Sequence, residues 1–527
     1  MTQPKMSISR RSFTKTAAAA PLGAMALGMP VAGSIGYGVL TASAQEEVLE
    51  QVVVALGSDP LSMIPNTIVD WTTDIQLAHM YDRTLLRDPA QDYEVAAWLC
   101  ELTNIDDLNW ELSLVSPDIT FHSGNPLTAT DFKTAIDWAL DPANESHYFE
   151  RWEQFEEVTI VDDTTFRITT TDPFPLIAER LAELYPVDTV LIDEIGWEAY
   201  AEAPSGTGPF RFVEWARGEY LRVERNEDYW HNDVNVQEVE FRFMPEFSSR
   251  LAALLADELD VVKDVPVDSI PNVEESDNAR IAAIPSSRVN YVALVNNRED
   301  SVFNDIRLRQ AVNYGVDVDG IIAGIFQGQA TRMAGALSAL NPEVNAEIEP
   351  YPYDPERARE LIAEAGYEPG ELTVTMDAPQ GRYPMDTDAA LAIAASLGEV
   401  GINVEVLYNE WGTHLEKIVG RNTGDMFYLG WGPALEAYGT LAFLFVGDST
   451  YSGYTNPEVE ELIAEATVLV DAEARQEIWD QVQQMVYDDA GWLYLWQQHD
   501  IYGVSDEVAW EPRPDEFMWM GSAEPSV

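Results

Sequence analysis

The residue types that most often carry chemistry are sparse in this chain and badly spaced for it. The histidines His79, His122, His147, His231, His414 and His499 form no H-E-x-x-H motif and no i,i+4 pair, the spacings that set two imidazoles on one helix face for zinc. Cys100, the single cysteine, can form neither an intrachain disulfide nor a thiolate cluster, and its neighbours Ala96, Ala97, Trp98 and Leu99 suit a small buried hydrophobe. Val316-Asp317-Val318-Asp319-Gly320 looks like part of a calcium loop, yet its first and twelfth positions are Gly315 and Phe326, neither a ligand. Gly206-Thr207-Gly208 precedes a strand pattern and lacks a following lysine, so it is no phosphate loop. No G-x-S-x-G elbow or Walker loop occurs, and 91 acidic residues make paired carboxylates uninformative. No cofactor, metal or catalytic residue is expected, and the chain does not read as an enzyme.

What remains is the chemistry of contact. Gly424 to Gly439 reads GDMFYLGWGPALEAYG. Met426–Leu429 is a short apolar run bounded by glycines, the pattern of a strand buried on both faces. It runs into a loop holding Gly430, Trp431, Gly432, Pro433, Glu436 and Tyr438. Ligands of α/β sheets sit beyond the carboxyl ends of strands, and an indole beside glycines offers a flat wall next to approachable backbone. A core tryptophan at a strand end has the same sequence. Trp71 and Trp411 are further candidate walls, with core packing as the competing role for each.

The elements that must position these residues are legible in part. In the first half, strands are expected at 48–56, 110–115, 210–215, 220–225 and 236–244, with a hairpin from 158–160 to 165–170. Thr128 with Asp131 makes a capping box for a helix running to Asp141-Pro142. From Asn290 the pattern turns to alternating strand and helix. Asp354-Pro355 and Asn456-Pro457 start helices, and Gly366, Gly401 and Gly491 end them. Strands at 291–295, 372–376, 403–407 and 492–496 predict an α/β fold with a mostly parallel open sheet in this half.

Length implies several domains, since 527 residues exceed what one core organises. With 91 acidic against 30 basic residues the net charge is −61, which disfavours nucleic acid and anionic membrane surfaces as partners. Aromatic residues at 10% argue against disorder. The spread of acids along the whole sequence suggests adaptation to high salt, where repulsion is screened within roughly 3 Å at ~1 M. Ser9-Arg10-Arg11-Ser12-Phe13-Thr14-Lys15 and the apolar run after it resemble a twin-arginine export signal, with cleavage expected near Ala44 and no cysteine there for a lipid anchor. Residues 1–44 hold four basic and no acidic residues, so the processed chain carries 26 − 91 = −65. A soluble, monomeric product in the periplasm is expected.

Six blocks together carry a family resemblance: ITFHSGNPLTATDF (119–132), GTGPFRFVEWARGEYLRVERNEDYW (206–230), FNDIRLRQAVNYGVD (303–317), YDPERARELIAEAGY (353–367), LGEVGINVEV (397–406) and YSGYTNPEVEELIAEA (451–466). In this order and coverage the chain resembles extracytoplasmic solute-binding proteins of ATP-driven importers, in the peptide/nickel/opine group. The resemblance implies a two-lobed, three-domain periplasmic-binding-protein fold of type II, with mixed sheets, closing on its ligand about a hinge. Domain I would join 45–81, 201–287 and 496–527; domain II would be the insertion 82–200; domain III would be 288–495. The crossings near Arg288–Asn290 and Tyr494–Gln497 would form the hinge. Partners would be a solute and the permease and ATPase subunits of an ABC importer. Peptide binders of this group carry an aspartate soon after the Gly-Trp pair to hold a ligand ammonium. Here those positions hold Ala434 and Ala437, with Glu436 as a substitute, while Arg382 matches a position that pairs with a ligand carboxylate. A glycoside in place of a peptide, or a sensor or hydrolase on the same scaffold, are the competing readings.

Overall fold

The computed structural model describes residues 48–526 except 69, 89–92, 232–233 and 433–434. The export signal, Pro433 and Ala434 therefore lie outside the described residues.

An eleven-stranded mixed sheet runs through the described chain. From one edge, the strands Ile402–Asn409, Leu372–Pro379 and Met426–Trp431 lie parallel. Two long strands follow, Ala279–Leu294 and Trp492–Ser505, paired antiparallel with one another. Beyond them come Val261–Val262, Val52–Leu56, Glu238–Phe243, Tyr220–Arg225 and Phe210–Ala216, and the eleventh strand, Ala330–Arg332, pairs with Trp492–Ser505 off this path. Val52–Leu56 pairs parallel on both sides, and all five of its residues are buried, as its Val-Val-Val-Ala-Leu sequence requires. A separate four-stranded antiparallel sheet holds Cys100–Asn104, Asn109–Leu114, Thr165–Thr170 and Phe155–Asp162, the last two forming the expected hairpin.

The mostly parallel sheet expected after Asn290 is corrected. Ala279–Leu294 runs antiparallel to both Met426–Trp431 and Trp492–Ser505. Both long strands extend well beyond 291–295 and 492–496, the stretches that the apolar pattern marks. Pro285 and the polar Ser286-Ser287-Arg288 interrupt the apolar alternation, so the pattern hid the continuity. The pairing register shifts between Pro285 and Val289, and again between Asn290 and Tyr291. Across the first shift Gln497 Nε2 donates to Ser286 O at 2.8 Å, and Ser287 N donates to Pro514 O at 2.9 Å.

Local signals behave as physics dictates. The Thr128–Asp131 capping box is present on helix Ala129–Leu140. Asp354 caps Pro355–Glu364 by accepting from Arg357 N, and Gly401, at φ +99°, ends Asp386–Val400. The three largest buried clusters divide in two sets. One draws on residues from Val52 to Val261 together with Tyr502–Ala523, and the other on residues between Val289 and Trp496.

Candidate functional site

Three adjacent parallel strands deliver the site's second-half residues. Leu372–Pro379 runs out into Gly381-Arg382-Tyr383, Ile402–Asn409 leads to Trp411 at the start of a helix, and Met426–Trp431 ends on its tryptophan. The three carboxyl ends point the same way because the strands are parallel, and their loops meet at a cleft of about 1250 Å3. That volume exceeds the roughly 300–1,000 Å3 typical of drug-sized ligands. Facing them are the start of helix Trp71–Met80, the segments around Arg87 and Arg180, and a wall formed by Lys263, Arg288, Asp500 and Glu516.

Trp431, Trp411, Trp71, Arg382, Gly430, Gly432 and Glu436 all line this cleft. Trp431 is anchored by its Nε1, which donates to Gly439 O at 2.7 Å, and by Tyr451 at 5.4 Å. Trp71 donates from Nε1 to the Glu516 carbonyl at 3.0 Å and meets Phe517 edge-on. Tyr438 is the exception among the candidates. It begins helix Tyr438–Leu444, packs against Phe443 at 5.8 Å and is not among the cleft residues, because the helix turns its ring away.

The glycines open space for protein rather than solute. A Cβ on Gly430 would lie 2.7 Å from the Tyr383 ring, whose hydroxyl donates to Gly430 O. One on Gly432 would lie 2.8 Å from the Arg288 backbone, and Gly432 itself sits at φ +147°. Both glycines still border the cleft; the close approach they permit is that of Tyr383 and Arg288.

Charge in the cleft is redistributed relative to the chain. Eight of its lining residues are basic and ten acidic, against 30 and 91 in the whole sequence, so cations are concentrated here. Most are engaged. Arg83 bonds Asp74 and Tyr185, Arg151 and Arg180 share Glu183, Arg513 bonds Asp515, and Arg288 lies 3.2 Å from Glu516. Arg382 differs. It is exposed, lies 5.1 Å over the rings of both Tyr383 and Trp411, and has no carboxylate within ion-pair distance among the described residues. Glu436 reaches toward the first half of the chain, 3.9 Å from both Arg87 and Arg180.

The members of the Asp500 wall are far apart in sequence, so no local pattern joins them. Burial, with Glu516 as a like-charged neighbour, pushes the Asp500 carboxyl up to about 7, against the pull of Lys263. Burial alone would raise Glu516 too, but Arg288 and Lys263 override it and hold that carboxyl below the usual range. Asp500 Oδ2 is buried without a hydrogen-bond donor. Among the described residues, no group of three His, Cys, Asp or Glu side chains is placed to hold a metal ion.

Residues 94–451 match the model of bacterial extracellular solute-binding proteins, family 5. The chain belongs to that family. This family-5 protein is similar to the glutathione-binding protein GsiB of Pectobacterium atrosepticum, with 27% identity over 470 residues covering 85% of this chain and 88% of the relative. In structure it is similar to the ABC transporter substrate-binding protein CtaP of Listeria monocytogenes, with TM-score 0.82, 21% identity, and coverage of 91% of this chain and all of that one. It is also similar to the periplasmic binding protein DppA of Helicobacter pylori in complex with the peptide STSA, with TM-score 0.74, 22% identity and coverage of 92% and 99%. The type II binding-protein fold expected from the sequence is thus the fold of this family-5 chain. No helix among its described residues is long and apolar enough to cross a membrane.

Proposed function

We propose that this family-5 protein captures a compact peptide-like solute bearing a free carboxylate and passes it to the permease and ATPase of an ABC importer. The observation that carries the reading is Arg382, a guanidinium exposed in the cleft, braced on Tyr383 and Trp411, with no acid within ion-pair distance among the described residues. Guanidinium pairs with carboxylate in a planar fork, and an aromatic platform fixes its orientation beforehand. The ammonium end of a peptide finds no acid at position 437, which is a buried alanine whose amide donates to Glu343 at 2.7 Å. Glutathione, which the GsiB relative is named for binding, carries free carboxylates and is the first probe to test. We further read the chain as exported folded by the twin-arginine route, cleaved near Ala44, monomeric, suited to high salt, and closing domains I (45–81, 201–287, 496–527) and II (82–200) against III (288–495).

Calorimetric titration of residues 45–527 with glutathione and di- to hexapeptides tests the proposal. Arg382→Gln is expected to weaken the best binder by about 1.5–3 kcal/mol, one to two decades in Kd. Unchanged affinity in that variant, with the fold intact, overturns the role of Arg382.

A further inference from the structure

On the wall opposite Arg382, three arginines meet three glutamates, and their partners divide unevenly. Glu183 is saturated: Arg151 binds it with two nitrogens and Arg180 donates to it from Nη1 at 2.8 Å. Arg180 is 5% exposed, yet its Nη2 makes no hydrogen bond to any described residue and has only Glu436 Oε1 in range, at 3.9 Å. Arg87 donates from Nη1 to the Tyr93 carbonyl, and its Nη2 has Glu436 Oε2 at 3.9 Å. Glu436 thus places one carboxylate oxygen before each guanidinium, too far for a hydrogen bond to either. It does so from the loop that follows Trp431, on the other side of the cleft. Glu179 does not fill the gap. Its Oε2 is buried without a partner, and burial, against the pull of Arg87, pushes its carboxyl up toward the neutral form. Two guanidiniums therefore face the cleft with a single loosely held carboxylate between them.

We propose that Arg87 and Arg180 form a second anion subsite, which takes a second carboxylate of the solute, and that Glu436 is its resident stand-in, displaced when a dicarboxylate binds. The inference rests on the reading of the cleft as a carboxylate-binding site and narrows it. With Arg382 across the cleft, the preferred solute is a dicarboxylate, its two carboxylates held by opposite walls. A solute with one carboxylate leaves Glu436 where it is and gains nothing from Arg87. Substituting Glu436 by glutamine removes the competing charge without removing volume, so it selectively favours dicarboxylates. A merely structural role for Glu436 would instead weaken all ligands alike.

The test compares glutathione with its glycine-carboxamide analogue, and glutarate with glutaramate, by calorimetry and thermal shift at constant ionic strength. The proteins are wild type, Glu436→Gln, Arg87→Gln and Arg382→Gln, each checked for native circular dichroism. Glu436→Gln is expected to raise the dicarboxylate-to-monocarboxylate affinity ratio about tenfold, equivalent to about 1.4 kcal/mol. Arg87→Gln is expected to collapse the ratio toward one. If Glu436→Gln leaves the ratio unchanged while Arg382→Gln weakens every acid, the second subsite is wrong and the carboxylate cleft stands. If the ratio rises but Arg382→Gln has no effect, the subsite stands and the role of Arg382 falls. Absence of any stabilisation of Glu436→Gln by millimolar glutarate also overturns the subsite, since two freed guanidiniums must attract a dianion.

Discussion

Asp82 shows why single residues at this site resist reading in isolation. Its carboxylate accepts from Trp98 Nε1 and the Tyr229 hydroxyl on one oxygen, and from Trp230 Nε1 and the Thr207 hydroxyl on the other. Gly206 and Gly208 flank that threonine because the chain crosses the Met80–Tyr81 backbone there; a Cβ on either would lie under 3 Å from Met80. His122 completes the joint, its Nε2 donating to Gly208 O at 2.8 Å while Gly206 N donates to its Nδ1. So the Gly-Thr-Gly motif that fails as a phosphate loop is a packing device. Asp500 is the residue with the clearest pH signature. Its folded pKa, near 7, lies above the usual 3.8, so the folded state retains its proton. The resulting stability is present below pH ~4 and is lost as pH rises toward 7. Asp500→Asn is therefore expected to equal wild type in urea denaturation near pH 4 and to exceed it by a few kcal/mol, on the order of 2–4, at pH 8. A constant difference across that range would refute the assignment.

At the scale of elements, helix ends were legible because caps are local. Asp354, Asn456 and Asp471 each accept from a backbone N–H of the first turn, as their type and position require. That Trp431 ends a buried strand was legible for a similar reason, since a strand end and its loop are contiguous. Strand partners were not. Nothing near Val289 reveals that it pairs with Trp431 on one side and Gln497 on the other, and nothing near Glu436 reveals Arg87 or Arg180. Tyr438 was misplaced because helical phase, which decides where its ring points, depends on where the turn begins. The two long strands also make a prediction. Tyr291–Ala293 lie between two neighbouring strands and Leu294 pairs with one, whereas the register breaks between Pro285 and Val289. Hydrogen exchange is expected to be slowest at Tyr291–Leu294 and markedly faster at Ser286–Val289. Uniform protection along the strand would contradict a flexible point there.

At the scale of the molecule, charge is the governing quantity. A net charge of −61 on one folded chain repels itself, and only mobile ions or paired cations relieve it. Among the described residues most of the basic side chains are already paired with acids, Arg83, Arg151, Arg309 and Arg513 among them. The melting temperature of the processed chain is expected to fall steeply between molar and millimolar salt, beyond what a −5 protein would show. A flat salt profile would remove the reading of the charge as an adaptation to high salt. Composition made the whole-molecule property plain at once, while the cleft's local excess of cations emerged only when distant segments were folded together.

Cys100 has a practical consequence for watching the cleft close. It is fully buried, and burial pushes its thiol well above the usual range, so it is inert toward thiol reagents at neutral pH. With no other cysteine in the sequence, the native chain is a silent background for fluorescent labelling. Cysteines introduced at Val190 on helix Thr189–Ile195 and Leu391 on helix Asp386–Val400, which are 50% and 60% exposed, accept a donor and an acceptor dye without removing any native residue from the core. Energy transfer between them is expected to rise on addition of a dicarboxylate, and to rise less in Arg382→Gln. The proposed closure of the domains would then be readable in real time, in a protein whose one thiol is silent.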